Sequence, residues 1–102
     1  MTHDELEELF SYGDSSPEAV RRRMIAARNA LGMQQQEVAA AVGVRKQTYN
    51  YQESRGAPSI PVARYFHRAH KLSFNFLFHG DFDQIDAAML ERLAEALSAG
   101  SE

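Results

Sequence analysis

Apolar residues recur at spacings of three and four along most of the chain, which is the pattern of amphipathic helices. Sustained alternation of apolar and polar residues, which marks half-buried strands, does not occur. The Asn-Gly and Asp-Gly pairs that favour hairpin turns are also missing from the sequence. The pattern therefore predicts an all-α protein.

Capping residues divide this pattern into separate helices. Thr2 precedes an acid-rich turn and predicts a short helix over 3–11. Ser16 followed by Pro17 predicts the start of a second helix, since proline suits the first helical position, and Gly32 ends that helix. The same reading places the later helices at 34–42, about 45–54, 59–71, 72–78 and from Phe82 to Gly100.

The last of these helices carries a broad apolar stripe, formed by Ile85, Met89, Leu90, Leu93, Ala96 and Leu97. Such a stripe is a packing surface. The sequence leaves open whether it packs on its own domain or on a second subunit.

Length and composition restrict the class of protein. A chain of 102 residues with 44% hydrophobic and 25% charged residues is typical of one small globular domain. Without cysteine it can form neither disulfides nor a cysteine-ligated zinc site, which fits a reducing compartment. No apolar run has the ~20 residues of a membrane span, and the acidic start is unlike a secretory signal. We therefore expect a cytoplasmic protein.

The charge is unevenly distributed, although the formal net charge is only −3. Residues 17–80 hold ten basic and three acidic side chains, whereas 1–16 and 81–102 each carry a net charge of −5. A basic centre between acidic ends is typical of a nucleic-acid-binding module with appended elements. Solvated helix faces with chance clustering would give the same counts.

The segment 34–45, QQQEVAAAVGVR, has the spacing of a helix-turn-helix. Ala39 is small enough for a second helix to cross the first at that point. Gly43 tolerates the positive φ angle that a tight turn requires. Val44 and Tyr49 supply the apolar positions that follow. The segment predicts two short helices crossing closely, with the side chains of 46, 47 and 51 exposed.

At these residues the chain resembles the Cro/phage-repressor helix-turn-helix proteins, the XRE family, over about 17–80. The resemblance rests on Arg28, Gly32, Gln35, Val38, Ala39, Val42, Gly43, Val44, Glu53, Gly56, Pro58, Leu77 and Gly80. It implies a five-helix lambda-repressor-like domain that binds duplex DNA, usually as a dimer. Here an acidic N-terminal extension, 1–16, and an acidic amphipathic helix, 81–102, would be added, the latter a candidate dimerisation element.

The resemblance also implies roles for individual residues. Base edges in the major groove would be contacted by Lys46, Gln47, Asn50 and Tyr51, whose chemistry suits guanine, adenine and thymine. Phosphate contacts are expected from Gln35, Arg45, Thr48, Arg55 and Arg23. Arg28 and Glu53 would form a structural ion pair. This pair would hold the second helix against the helix at about 45–54, which the resemblance makes the recognition helix.

Arg23 belongs to a run of three arginines, Arg21 to Arg23, near a helix N-terminus. Cations there oppose the helix dipole, which hints at a partner anion. A solvated start of the helix is an equally open interpretation.

Two positions depart from the family pattern. Gln52 stands where an apolar or aromatic residue is usual, so it needs a partner or must tilt outward. The spacing from Glu53 to Gly56 is one residue longer than in the commonest form of the loop. Both departures bear on the pose of the recognition helix.

Enzymatic and metal-binding functions have little support. His67 and His70 lie three residues apart, but two ligands without cysteine or a matching carboxylate cannot complete a tetrahedral site. The chain has no Gly-x-Ser-x-Gly turn, phosphate loop or His-Glu-x-x-His motif. We expect no metal, no cofactor and no catalysis.

The sequence therefore predicts a sequence-specific regulator that binds double-stranded DNA, as a homodimeric repressor. The alternative is a module that binds both DNA and protein, such as the antitoxin of a toxin–antitoxin pair. Its partner would bind the acidic ends or the last helix.

Overall fold

The computed structural model describes residues 1–99, in which the chain forms seven helices and no strand. The predicted all-α fold is confirmed. The helices are α1 (His3–Leu9), α2 (Pro17–Ala30), α3 (Gln35–Val42), α4 (Lys46–Arg55), α5 (Ile60–His70), α6 (Phe74–His79) and α7 (Ala87–Ser98). The predicted helix end at Gly100 lies outside the described residues.

Side-chain caps fix the helix starts that the sequence predicted. The hydroxyl of Ser16 accepts a hydrogen bond from the backbone N–H of Ala19 over 3.3 Å. The hydroxyl of Ser59 accepts one from Val62 over 3.4 Å. Each cap satisfies a first-turn donor that has no partner within its helix.

The start of the last helix differs from the prediction. Helix α7 begins at Ala87, where the carboxylate of Asp86 accepts a hydrogen bond from the N–H of Met89 over 2.8 Å. Phe82, predicted to open this helix, is instead a buried residue of the preceding turn, with its ring centroid 5.2 Å from that of Phe10. Burial of this ring decides the path of the chain, and the helix forms only after it.

Helix α2 is the centre of the fold and packs against α4, α6 and α7. Phe10, from the segment before α2, is buried in the same core as Phe66 and Phe76. Phe82 and Leu93 enter that core from the other end of the chain. The middle of the α7 stripe therefore packs on its own domain, and the two terminal segments help to build one core with 17–80.

Arg23 is buried in this core, with 1% of its surface exposed. Its Nε atom donates to the carbonyl of Phe10 over 2.9 Å, and its Nη1 atom donates to that of Leu77 over 3.2 Å. Its Nη2 atom donates to the carbonyls of Ser11 and Asp14, both over 2.6 Å. The expectation that Arg23 contacts a DNA phosphate is wrong, because four backbone carbonyls already occupy the buried guanidinium.

Candidate nucleic-acid interface

The turn between α3 and α4 has the geometry that its glycine predicted. Gly43 has a φ angle of 90°, and its N–H donates to the carbonyl of Ala39 over 2.9 Å. Ala39 is 2% exposed, and α3 and α4 pack against each other. The small side chain at 39 permits this close packing, since a larger one there would separate the helices.

A buried carboxylate holds α4 in place. Glu53 forms an ion pair with Arg28, whose Nε lies 2.9 Å from Glu53 Oε2 and whose Nη2 lies 3.1 Å from Oε1. The hydroxyl of Tyr49 donates to Oε2 over 2.8 Å, and the amide of Gln35 donates to Oε1 over 2.8 Å. The ion pair that the family resemblance implied is present, within a larger network that joins α2, α3 and α4.

Electrostatics keeps this network charged. Burial alone would favour the neutral acid, but the hydrogen bonds from Arg28, Gln35 and Tyr49 outweigh it and hold the pKa of Glu53 below its ordinary value. The bond to Glu53 raises the pKa of Arg28. Burial, together with the nearby carboxylate, raises the pKa of the Tyr49 hydroxyl, so that it remains a donor. A charged Glu53 can thus accept all four hydrogen bonds.

The network continues to the surface through Gln35. Its amide oxygen accepts a hydrogen bond from the side-chain amide of Asn50 over 3.0 Å. Gln35 is half-buried, so the predicted phosphate ligand is also a bridge between α3 and α4. Asn50 is exposed, but one of its polar atoms is already held in position.

The two faces of α4 differ sharply. Tyr49 and Glu53, four residues apart, are buried on one side. The residues predicted to read bases lie on the exposed side: Lys46, Gln47, Asn50 and Tyr51. Within residues 1–99, Lys46 and Gln47 show no hydrogen bond or ion pair to another side chain. Tyr51 is 60% exposed, and the guanidinium carbon of Arg55 lies 4.9 Å from its ring centroid.

Positive charge dominates this surface. Between Glu37 and Asp81 the sequence contains a single acidic residue, Glu53, which is buried and paired with Arg28. Arg45, Lys46 and Arg55 are exposed around α4, and Thr48 is half-buried there. No side chain caps α4, because its N-cap residue, Arg45, has no acceptor atom. The N-terminus of α4 therefore presents N–H donors and two cations.

The two departures from the family pattern have structural explanations. The side-chain oxygen of Gln52 accepts a hydrogen bond from the backbone N–H of Ser59 over 2.7 Å, which ties α4 to the start of α5. Gly56 ends α4 with a φ angle of 63°, and a Cβ atom there would overlap the carbonyl of Pro17. The loop after α4 is therefore held against the start of α2.

The histidines considered as metal ligands make other contacts. The Nε2 atom of His70 lies 2.8 Å from the hydroxyl of Tyr65, and the ring of His67 packs edge-on against Phe74. Among residues 1–99, His3, Asp4 and Glu7 bring three potential ligand atoms within 4.8 Å of one another. These three lie at the surface of α1, where acidic groups are common without an ion.

The tight turn at Gly43 leads into α4, which exposes a polar side and is anchored on its other side by the Arg28–Glu53 ion pair. This is the geometry of a helix-turn-helix motif. Residues 24–77, just over half of the chain, match the profile of the helix-turn-helix family of the Cro/C1 type, and the chain belongs to this family. It is a DNA-binding transcriptional regulator.

Neither the search of curated proteins nor the search of solved structures found a significant match. Within residues 1–99, none of the helices is both long enough and apolar enough to cross a bilayer.

Proposed function

We propose that this protein is a sequence-specific, cytoplasmic repressor that reads duplex DNA in the major groove with α4, as a homodimer. The observation that carries the proposal is the two-faced character of α4. Its buried face is fixed to α2 and α3 through Glu53, and its other face exposes four side chains that can bond base edges.

Each exposed side chain suits a different base feature. Lys46 can donate to O6 and N7 of guanine, whereas Gln47 and Asn50 can bond adenine bidentately. The exposed ring of Tyr51 offers an apolar face for a thymine methyl group and a hydroxyl for a polar edge. Each good base contact contributes ~1–3 kcal/mol of discrimination. Four such residues on one helix can define a short half-site.

Contacts to the phosphate backbone would orient α4 in the groove. Arg45 and Arg55 are exposed at its two ends, and Thr48 lies in its first turn. The uncapped N-terminus of α4 adds N–H donors, which bind phosphate oxygens well. Gln35 would reach the backbone from α3 while still bonded to Glu53. Binding should weaken steeply with salt, because neutralised phosphates release counterions.

A dimer follows from the small size of one reading surface. One α4 helix covers a few base pairs, whereas two related by a two-fold axis would contact half-sites ~34 Å apart, one turn of B-DNA. The operator would then be a palindrome. Bound over a promoter, such a dimer would exclude polymerase, which makes repression the simplest outcome.

The test is selection of bound duplexes from a random pool, followed by sedimentation of the protein with the selected site. The proposal predicts a palindromic consensus and a complex with two copies of the chain. A pool that shows no enrichment would reject sequence-specific reading. An enriched site without symmetry, bound by one copy, would reject the dimer while keeping the reading helix.

A second candidate function is that of an antitoxin-type module, which binds a protein as well as DNA. The observation that favours it is an apolar groove between α1 and α7, on the helices that flank the matched segment. Copurification of the chain with a small basic protein encoded beside it would support this function. Separate elution of the two coexpressed proteins would count against it.

A further inference from the structure

The groove between α1 and α7 has a volume of about 410 Å³ and is lined mostly by apolar atoms. Leu6 comes from α1, and Ala87, Leu90 and Ala94 come from successive turns of α7. Leu6, Leu90 and Ala94 are only partly buried, whereas Leu93, on the inner side of α7, is fully buried. The apolar stripe of α7 is therefore wider than its own core requires, and the excess faces the groove.

The two charged side chains that line the groove are both acidic, and Met1, which carries the α-amino group, also lines it. Glu91 and Glu95 line it and are exposed. Helix α1 carries four carboxylates and no lysine or arginine. The one basic residue of α7, Arg92, does not line the groove; it lines a surface depression beside α2, which Glu95 also lines. A ligand of this groove would therefore contact both apolar side chains and carboxylates.

We propose that the groove binds a basic amphipathic helix of a partner protein. A helix laid in an apolar groove is recognised through side chains at i, i+3, i+4 and i+7, and basic residues beside them would pair with Glu91 and Glu95. A second copy of this chain fits less well, because a two-fold contact would bring the same carboxylates together. The proposal depends on the protein-binding function described above and is independent of base reading by α4.

The probe is a fluorescein-labelled synthetic peptide of about 16 residues, long enough as a helix to span α7. Leucines occupy positions i, i+3, i+4 and i+7, and the remaining positions are lysine and alanine. One comparison peptide has glutamate for each lysine, and another has serine for each leucine. Fluorescence anisotropy with the full chain should show binding of the first peptide at least about tenfold tighter than either comparison peptide.

Matched variants locate the binding. E91Q with E95Q removes two carboxylates from the groove, and D4N with E8Q removes two from exposed positions of α1 that do not line it. The groove variant should bind the basic peptide about fivefold more weakly than the wild type at low salt. The control variant should bind it less than about twofold more weakly. All four positions are exposed, so both variants should keep the fold, which circular dichroism checks.

Several results would overturn the proposal. Equal binding of the lysine and glutamate peptides would remove the charge argument, and unchanged binding to the groove variant would place the peptide elsewhere. A concentration-dependent dimer that strengthens in the groove variant would assign the groove to a second copy. Binding to the selected duplex is measured in parallel. If the peptide does not bind the groove but the duplex is still bound, the groove proposal fails and the proposal of base reading by α4 stands.

Discussion

The side-chain amide of Asn50 donates to the amide oxygen of Gln35 over 3.0 Å, and the amide nitrogen of Gln35 donates in turn to Glu53 over 2.8 Å. A residue on the exposed face of α4 is thus continuous with the buried ion pair beneath it. In the proposed complex this bond would orient Asn50 before DNA binds, which would lower the entropic cost of its base contact.

Replacing Gln35 with alanine should therefore weaken DNA binding by about tenfold and lower the free energy of unfolding by about 1 kcal/mol, since Glu53 and Asn50 each lose a partner. Gln36, exposed on the same helix, donates its side-chain amide to Gln34 and not to the Glu53 network, and it gives the control Q36A. Anisotropy on the selected duplex and urea denaturation measure the two effects. Wild-type affinity in Q35A would show that Asn50 needs no positioning.

Base readers and phosphate ligands should respond differently to alanine substitution. K46A and Q47A should reduce discrimination between the selected site and single-base variants by ~1–3 kcal/mol, because base contacts carry that discrimination. R45A should weaken all duplexes alike and flatten the salt dependence, because a phosphate contact carries no sequence information. Binding of K46A and Q47A to every site as in the wild type would refute the base-reading assignment.

The free energy of unfolding should depend on pH through Glu53. The pKa of Glu53 in the folded protein lies below its ordinary value of 4.5, so the folded state gains stability from the charged form above that pH. The gain should be lost as the pH falls below 4.5 and through the folded pKa. Denaturation curves between neutral pH and strongly acidic pH measure this loss.

E53Q provides the comparison for that pH series. It should lower the free energy of unfolding at neutral pH by about 3 kcal/mol, because Arg28 is left without its charge partner, and it should reduce the acid dependence. An E53Q protein that loses stability in acid as steeply as the wild type would assign the effect to other carboxylates.

Two glycines with positive φ should differ in their tolerance of alanine. G43A should cost about 1 kcal/mol, because only the backbone conformation is strained and no atom beyond the two neighbouring residues lies within 4 Å of the new Cβ. G56A should cost several times more, because its Cβ would overlap the carbonyl of Pro17. Thermal denaturation of both variants tests the order, and similar losses would mean that the loop at 56 relaxes freely.

The buried guanidinium of Arg23 should be indispensable to stability. R23M keeps much of the side-chain volume but leaves the carbonyls of Phe10, Leu77, Ser11 and Asp14 without their donor, so we expect a loss of at least about 3 kcal/mol. R64M, on the exposed surface of α5, is the control and should be nearly neutral. A stable R23M protein would mean that water replaces the guanidinium.

Most helix boundaries could be predicted because short-range chemistry sets them. Ser16, Ser59 and Gly43 act within three or four residues of their own position, and the structure confirms each of them. The start of the last helix could not be read in this way, because burial of Phe82 against Phe10 depends on residues far apart in the chain. Asp86, a favourable N-cap residue, was the local signal that could have found it.

In the candidate site, too, contacts between residues close in sequence could be predicted, and a contact between distant residues could not. The spacing of four between Tyr49 and Glu53, and between Tyr51 and Arg55, could have predicted those contacts on a helix. The Gln35–Asn50 bond spans fifteen residues and two helices, so no local pattern contains it.

The burial of Arg23 could have been predicted. It lies at helical spacing from Val20 and Ala27, on the apolar face of α2, but the run of three arginines suggested a solvated or phosphate-binding face. The helical spacing of residue 23 therefore predicts its burial, whereas its positive charge predicted exposure.

The sharing of one core by both ends of the chain sets the smallest piece that can be transplanted. A chimaera built from 24–77 alone would carry α4 and its ion pair, but it would leave behind Phe10, Arg23 and Leu93. The cut would also remove the first seven residues of α2. Anyone grafting α4 onto a new scaffold should therefore carry the acidic flanks along with it.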